Sequence, residues 1–148
     1  MNVLKPIASI MTRKLITVTP QDSLERVREI FHEHNIHHIP VVRYKEILGI
    51  LSKSDFLYFL QGFSDSKTVK SAEDRRLRAR SAEDIMSREL TTIDSRDPIR
   101  RALELFRENR FHAIPVLEED ELVGIVTTHD VIKAWFEAPI TVEDYGAA

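Results

Sequence analysis

A repeat at a fixed offset is the sequence feature that most constrains what this chain can fold into. Residues 49–55 (GILSKSD) return 75 residues later as residues 124–130 (GIVTTHD). The same offset carries Ile10-Met11-Thr12 onto Ile85-Met86-Ser87, and residues 37–41 (HHIPV) onto 112–116 (HAIPV). Aligned without a gap, about a third of residues 10–60 are identical to residues 85–135. Such self-similarity indicates a duplicated supersecondary unit, so the function depends on what two copies build together.

The hydrophobic pattern predicts an α/β (α+β) fold in which each copy reads strand, helix, strand, strand, helix. In the first copy, residues 15–18 are β-branched, and a helix capped by Asp22 or Ser23 follows with its apolar residues at helical spacing. Strands are expected at residues 38–42 and 47–51, and then a helix from Ser52. Four side chains of that helix are expected to point inward: Phe56, Leu57, Phe59 and Leu60.

The second copy repeats the pattern with strands at residues 113–117 and 122–126. Asp97 is expected to cap its first helix, with Pro98 at the first helical position. Gly49 and Gly124 occupy matching strand positions, where a glycine often indicates close approach of another backbone or of a ligand.

These patterns divide the chain into four parts. The first repeat is assigned to residues 7–62, a polar and basic linker of helical composition to 63–82, the second repeat to 83–136, and a tail to 137–148. Trp135 and Phe136, just before the tail, are expected to pack.

Composition excludes several classes of function. The chain of 148 residues has no cysteine, which removes disulfides, thiolate catalysis and cysteine-ligated metals. Its net charge of −3 gives no basis for nucleic-acid binding. No segment has the ~18 consecutive apolar residues of a membrane span, and the first residues do not resemble a signal peptide. A cytoplasmic location is therefore expected.

The units Ser52-x-x-Asp55 and Thr127-x-x-Asp130 stand where a strand turns into a helix. One interpretation is structural, because a Ser or Thr followed three residues later by an acid forms a capping box. The other is functional, because a helix N-terminus offers free N–H groups and a positive dipole end to an anion. A carboxylate at the same place can accept hydrogen bonds from two hydroxyls, as a ribose would require. The two interpretations are compatible.

Four histidines crowd residues 32–38, but they do not form a recognisable metal site. His34 and His38 have helical ligand spacing, yet the helix is expected to end between them, and no acid completes a ligand set. His37 differs because His112 repeats it; it is either a structural donor or a polar contact to a phosphate or base. No catalytic motif with a nucleophile and a base is present, so an enzyme is not expected.

Taken together, the three repeated motifs resemble the cystathionine-β-synthase (CBS) domain family over almost the whole chain. The resemblance implies a tandem pair, called a Bateman module, with pseudo-two-fold symmetry and two clefts between the halves. Members of the family commonly bind AMP, ADP, ATP or S-adenosylmethionine there and regulate another protein.

The resemblance also implies which residues form the two sites. The acid would take the ribose hydroxyls, the hydroxyl residue would lie near ribose or phosphate, and the segment before the proline would read the adenine edge. One site would use Thr127 and Asp130 with Thr12, Ile16, Ile36, His37 and His38. The other would use Ser52 and Asp55 with Ser87, Thr91, Phe111, His112 and Ala113.

The sequence therefore predicts a regulatory CBS pair that senses an adenine nucleotide, forms a homodimer and signals to an unidentified protein. The two late helices carry more apolar residues than one small core needs, and some of them are expected to pack across the dimer: Phe56, Leu57, Phe59, Leu60, Val131, Ile132, Trp135 and Phe136. One alternative is a ligand-free dimerisation module whose Ser/Thr-x-x-Asp units are only helix caps. Another is a metal sensor that uses His34, His37 and His38.

Overall fold

The computed structural model describes residues 1–61 and 69–140 of the chain; residues 62–68 and 141–148 lie outside the described part. After a short 3-10 helix at Ile7–Ser9, the elements follow in the order α1 (Leu24–Glu33), β1 (His38–Arg43), β2 (Glu46–Ser52), α2 (Lys53–Gln61), α3 (Val69–Ala79), α4 (Ala82–Ile85), β3 (Ile93–Asp94), α5 (Ile99–Arg107), β4 (Ala113–Glu118), β5 (Glu121–Thr127) and α6 (Thr128–Phe136). The mixed α/β class and the two copies are confirmed.

Each copy is built around a two-stranded hairpin and a short entry segment. β1 and β2 pair antiparallel, with a bulge between Val41 and Val42, and the second sheet has the order β3-β4-β5 with β3 parallel to β4. The entry strand expected at residues 15–18 is reduced to one parallel bridge between Val18 and Val41. Pro20 lies two residues beyond Val18 and has no N–H with which to extend that ladder.

Helix α1 forms as its sequence predicts. Ser23 is its N-cap and accepts a hydrogen bond from the Arg26 N–H at 3.2 Å, and its apolar side is buried through Leu24, Val27, Ile30 and Phe31. The helix ends at Glu33, so His34 and His38 do not share a helical face.

The predicted cap of α5 is wrong. Pro98, with an extended ψ of 149°, is itself the N-cap, whereas the Asp97 carboxylate accepts the Asp94 N–H at 3.0 Å. The free N–H groups at the start of α5 donate instead to two carbonyls of the N-terminal segment: Ile99 to Lys5 and Arg100 to Val3, both at 2.9 Å. Once these carbonyls satisfy the orphan donors, no side-chain cap is needed.

The chain forms two compact units that exchange segments between the repeats. Unit 1 contains Met1–Lys14, Thr92–Glu118 and Val123–Ala148; unit 2 contains Leu15–Thr91 and Glu119–Leu122. The N-terminal segment therefore packs with the second repeat, and residues 82–91 pack with the first. Ile7 and Met11 belong to the hydrophobic core of unit 1, and Ala82 and Met86 belong to that of unit 2.

Equivalent hydrogen bonds hold the exchanged segments in the two units. In unit 1, Thr12 exchanges backbone hydrogen bonds with Ile125, at 2.8 and 3.0 Å. In unit 2, Ser87 exchanges the same pair with Ile50, at 2.9 and 3.0 Å. Each exchanged segment therefore lies beside the strand that leads into a Ser/Thr-x-x-Asp unit.

The late helices bury fewer side chains than their composition suggests. Phe56 of α2 and Val131 of α6 are buried, and Phe59 and Leu60 are partly buried against the core of unit 2. Leu57, however, is 48% exposed, and Trp135 and Phe136 are 70% and 88% exposed. The expectation that Leu57 points inward is wrong, and Trp135 and Phe136 are mostly exposed rather than packed within their unit. Each unit fills its core with strand residues and with an exchanged segment.

Candidate functional site

In unit 1, strand β5 delivers Thr127 and Asp130 to the start of α6 as a complete capping box. The Asp130 Oδ2 accepts hydrogen bonds from the Thr127 N–H and from the Thr127 hydroxyl, both at 2.8 Å. The Thr127 Oγ1 accepts the Asp130 N–H at 3.2 Å in return. The extended backbone of Thr127 (φ −117°, ψ 165°) makes this reciprocal pairing possible. The structural interpretation of this unit is thereby observed.

Thr12 joins this cluster from the N-terminal segment. Its hydroxyl donates to the Asp130 Oδ1 at 3.2 Å, and its backbone is held by the ladder with Ile125. Three of the predicted site residues, Thr12, Thr127 and Asp130, are therefore together within unit 1. Thr12, near the start of the chain, and Thr127, near its end, therefore both donate hydrogen bonds to the Asp130 carboxylate.

In unit 2, Ser52 and Asp55 occupy the equivalent position at the start of α2, with a different hydrogen-bond pattern. The Ser52 Oγ accepts the Asp55 N–H at 3.0 Å and lies 3.1 Å from the Ser54 Oγ. In the described part of the chain, no donor is hydrogen-bonded to the Asp55 carboxylate. Ser87 lies beside β2 through its ladder with Ile50, and Thr91 at the end of that segment is half-buried.

The segments before the two prolines lie next to the Ser/Thr unit of their own repeat. The His37 carbonyl accepts the Lys53 N–H at 2.8 Å, and His38 is paired with Ser52 in the β1–β2 register. The His112 carbonyl likewise accepts the Thr128 N–H at 3.2 Å. Each helix start is thus bounded by a backbone segment that contains a repeated histidine.

The remaining predicted residues fall into the same two units. Ile16 and Ile36 pack against the core of unit 2, Phe111 packs against that of unit 1, and Ala113 is buried. Ile16 and Ile36–His38 belong to unit 2, whereas their predicted partners Thr127 and Asp130 belong to unit 1. The combination of these two groups into one site, and of Phe111–Ala113 with Asp55, stays a prediction.

A pocket of about 670 Å³ lies beside Asp55 and was not expected from the sequence. It is lined by Asp55, Tyr58, Phe59, Gln61 and Ile85. Helical spacing alone places part of this lining together, because Tyr58 and Phe59, three and four positions after Asp55, lie on the same side of α2 as Asp55. The sequence pattern predicts that Phe59 lies in the core and predicts no role for Tyr58, whereas both residues line the pocket. The pocket gives the Asp55 side of unit 2 open space for a ligand.

Residues 1–61 and 69–140 contain neither a cluster of metal ligands nor a helix able to cross a membrane. Nowhere in these ranges do three or more His, Asp or Glu side chains gather closely enough to hold a metal ion, so the histidine-based sensor has no support there. The helices in the same ranges are all too short or too polar to cross a membrane.

Comparison with known proteins identifies one family. The family model described as CBS domain matches residues 7–62 and 82–137, which is more than half of the chain. The inosine-5'-monophosphate dehydrogenase of Korarchaeum cryptofilum is 31% identical over 124 residues. That match covers 83% of this chain and only 23% of the dehydrogenase, so the chain spans about a quarter of the relative's length.

Solved structures share the fold over nearly their full length. An uncharacterized conserved protein from Pyrococcus horikoshii superposes with a TM-score of 0.76 at 25% identity, covering 96% of this chain and 100% of that one. CBSX2, a CBS-pair protein of Arabidopsis thaliana, was solved in complex with AMP; its TM-score is 0.74 at 24% identity, covering 90% and 97%. The CBS pair of MJ0100, in complex with 5'-methylthioadenosine and S-adenosyl-L-methionine, gives 0.72 at 22% identity, covering 90% and 97%.

Proposed function

Because the chain belongs to the CBS domain family, we propose that it is a regulatory module that binds an adenosine-containing nucleotide and passes the bound state to another protein. The observation that carries this proposal is the convergence of Thr12, Thr127 and Asp130 on one helix start in unit 1. A hydroxyl and a carboxylate at the positive end of a helix can serve a phosphate and a ribose, respectively.

The proposed roles follow from the chemistry of each group. The carboxylates of Asp130 and Asp55 accept the ribose hydroxyls, because a carboxylate offers only acceptors and a diol offers two donors. The hydroxyls of Thr127 and Ser52 lie at positive helix ends, where negative charge is stabilised by ~0.3–1 kcal/mol. The backbone at residues 36–38 and 111–113 supplies the edge for the base. Thr12, Ile16, Ser87 and Thr91 complete the two proposed sites.

The proposed ligands are AMP, ADP and ATP, with S-adenosylmethionine as a further candidate. Support comes from the two CBS-pair structures that hold AMP in one case and adenosine-containing sulfur compounds in the other. These proteins share the fold of this chain, and the ligand of this chain is inferred from theirs. The regulated protein is a separate partner, and a homodimer is proposed as the assembly that contacts it.

A second function has its own supporting observation. Both hydrogen bonds of the capping box of Thr127 and Asp130 are made between protein groups, as expected for a structural dimerisation module in which these residues only start a helix. The two functions predict opposite results for nucleotide binding, so one experiment separates them.

The experiment is a thermal-unfolding panel of the full chain with AMP, ADP, ATP and S-adenosylmethionine, repeated with Asp55→Ala and Asp130→Ala. A ligand at a hundredfold excess over its Kd stabilises the folded state by about 2.7 kcal/mol, which we expect as a rise of several degrees in Tm. The rise should be reduced in each variant and abolished when both acids are replaced.

Asp84→Ala is the matched control. Asp84 forms a second capping box with Ser81, whose N–H donates to the Asp84 carboxylate at 2.8 Å, but Asp84 is outside both proposed sites. Loss of the cap is expected to reduce the free energy of unfolding by ~0.5–2 kcal/mol and so to lower the Tm. The ligand-dependent rise in Tm should stay complete in this variant. If no ligand raises the Tm of the wild type while all three variants simply melt earlier, the structural module is correct.

A further inference from the structure

We propose that Thr12 makes the two nucleotide sites unequal, because its hydroxyl donates a hydrogen bond to the carboxylate of Asp130. The site at Asp55 then fills at low nucleotide concentration, and the site at Asp130 fills only at higher concentration. This inference rests on the proposed function and adds to it a regulation of the two sites by the chain itself.

The Asp130 carboxylate has little capacity left for a ligand. A carboxylate has about four acceptor positions. Two on Oδ2 are used by the N–H and hydroxyl of Thr127 at 2.8 Å, and one on Oδ1 is used by the Thr12 hydroxyl at 3.2 Å. A ribose diol needs two acceptors, so one donor has to leave. Thr12 makes the longest of the three bonds, and its residue is exposed, so it is the donor most easily displaced.

The Asp55 carboxylate, by contrast, accepts no hydrogen bond from the described residues. The hydrogen bond that Asp55 makes within the described ranges uses its backbone N–H, which donates to the Ser52 Oγ at 3.0 Å. Its carboxylate is free of donors there and borders the pocket of about 670 Å³. A diol can therefore bind both oxygens of Asp55 without displacing a protein group.

Local sequence differences account for the unequal environments. Thr127 and Thr12 correspond to Ser52 and Ser87 at the 75-residue offset, and His129 corresponds to Ser54. Thr is restricted in χ1 by its branched Cβ, which favours a fixed hydroxyl direction toward Asp130. The Ser52 hydroxyl lies 3.1 Å from that of Ser54, and in the described chain the Ser87 hydroxyl makes no hydrogen bond to Asp55.

The test is a calorimetric titration of AMP into full-length variants that each keep one site. Asp130→Ala reports the Asp55 site, and Asp55→Ala reports the Asp130 site. We expect the Asp55 site to bind about tenfold more tightly, since displacing a hydrogen bond to a charged group carries a cost of this order. Adding Thr12→Val to the Asp55→Ala variant removes the competing hydroxyl while keeping the shape of the side chain. It should raise the affinity of the Asp130 site about tenfold.

Ser87→Ala in the Asp130→Ala background is the matched control. Because Ser87 belongs to the proposed Asp55 site and its hydroxyl does not compete for the Asp55 carboxylate, its removal is expected to lower the AMP affinity. A rise of similar size there would mean that any hydroxyl removed from an exchanged segment improves binding, which would overturn the inference.

Other outcomes are also decisive. Equal affinities at the two sites, or a Thr12→Val change that weakens the Asp130 site or leaves it unaltered, would overturn the role of Thr12 while the proposed function stands. If the wild type does not bind AMP, the proposal that AMP is a ligand is refuted, and this inference is refuted with it. A double-mutant cycle of Thr12→Val with Asp130→Ala, measured by urea unfolding without ligand, checks the contact independently, because each single variant removes the hydrogen bond. Strictly additive effects would show that the Thr12–Asp130 bond has no energetic weight and would also overturn the inference.

Discussion

At the scale of single residues, Arg96 lowers the pKa of Asp94, which lies two positions before it in a short turn. The Arg96 guanidinium donates to both carboxylate oxygens of Asp94, at 2.9 and 3.1 Å, and the Arg96 backbone N–H adds a bond of 2.9 Å. The side-chain hydrogen bonds, and then the backbone bond, lower the pKa of Asp94 to about 2. Planar, bidentate pairing of this kind is a property of arginine.

We predict that Arg96→Ala raises the pKa of Asp94 toward the ordinary value of ~3.9. A carboxyl whose pKa is depressed by folding stabilises the protein above its unfolded pKa, and that contribution is lost as the pH falls through its folded pKa. For Asp94 the loss falls between about pH 4 and about pH 2. The measurement is an NMR titration of the side-chain carboxyl carbons in the wild type and in the variant.

Asp74 serves as the internal control for this titration. Its pKa is lowered by a hydrogen bond from Arg28 at 2.8 Å, far from Arg96 in sequence, and should not respond to the substitution. An Asp94 pKa that stays near 2 without the guanidinium would assign the shift to the backbone N–H alone and contradict the prediction.

At the scale of elements, the exchanged segments depend on two glycines. A Cβ on Gly124 would lie 2.7 Å from the Met11 sulfur and 3.0 Å from the Thr12 carbonyl oxygen. A Cβ on Gly49 would lie 2.5 Å from the Met86 sulfur and 2.9 Å from the Ser87 carbonyl oxygen. The close backbone approach predicted from these glycines is therefore observed. It allows each exchanged segment to form its ladder with the strand that leads to the site.

We predict that Gly124→Ala destabilises the protein by ~1–3 kcal/mol, the usual cost of overpacking. In an open strand the same change would stabilise by ~0.5–1 kcal/mol, because alanine loses less conformational entropy on folding than glycine. The sign of the effect in a urea unfolding curve therefore tests the close approach. A Cβ at position 124 would push Met11 and Thr12 away from β5. The Thr12–Asp130 hydrogen bond should therefore weaken in the same variant.

Gly49→Ala provides the matched comparison in unit 2. Its nearest backbone atom, the Ser87 oxygen at 2.9 Å, cannot move away without breaking the ladder with Ile50, so a cost of similar size is expected. A stabilising effect at both glycines would show that the segments are not held closely against β2 and β5.

At the scale of the whole molecule, α6 carries an apolar surface that the described residues of the chain leave exposed. Ile132, Trp135 and Phe136 are 61%, 70% and 88% exposed, respectively. Three large apolar side chains within two helical turns are unusual for a surface without a partner. They agree with the homodimer proposed above, in which a second copy would cover them.

We predict that the protein sediments as a dimer at tens of micromolar and that Trp135→Ser combined with Phe136→Ser converts it to a monomer. Burying a large aromatic side chain contributes ~2–3 kcal/mol, so losing two of them lowers the association constant by several orders of magnitude. Tyr44→Ser is a suitable control, because Tyr44 is 95% exposed at the β1–β2 turn. A monomeric wild type in analytical ultracentrifugation would exclude the dimer.

The candidate site was predictable to the extent that it depends on local sequence. Ser23 and Thr127 are N-caps because a short side-chain oxygen before an apolar helical stripe satisfies an orphan N–H wherever it occurs. The two Ser/Thr-x-x-Asp units were placed at strand-to-helix junctions for the same local reason. The difference between Asp130 and Asp55 was not predictable, because it depends on the Thr12 hydroxyl and on the pocket beside α2.

The sequence by itself determined the duplication, the hairpin and the helix that follows it in each copy, and the buried face of α1, since these depend on periodicity and on capping between neighbouring residues. Only the tertiary structure decided which repeat each Ile-Met-Ser/Thr segment completes, how α5 is capped and which late-helix side chains stay exposed. Residues 3 and 5 accept the first N–H groups of α5, and no pattern in either segment encodes that pairing. Contacts between residues about a hundred positions apart are fixed by the space that each unit leaves open, and that space exists only after the chain has folded.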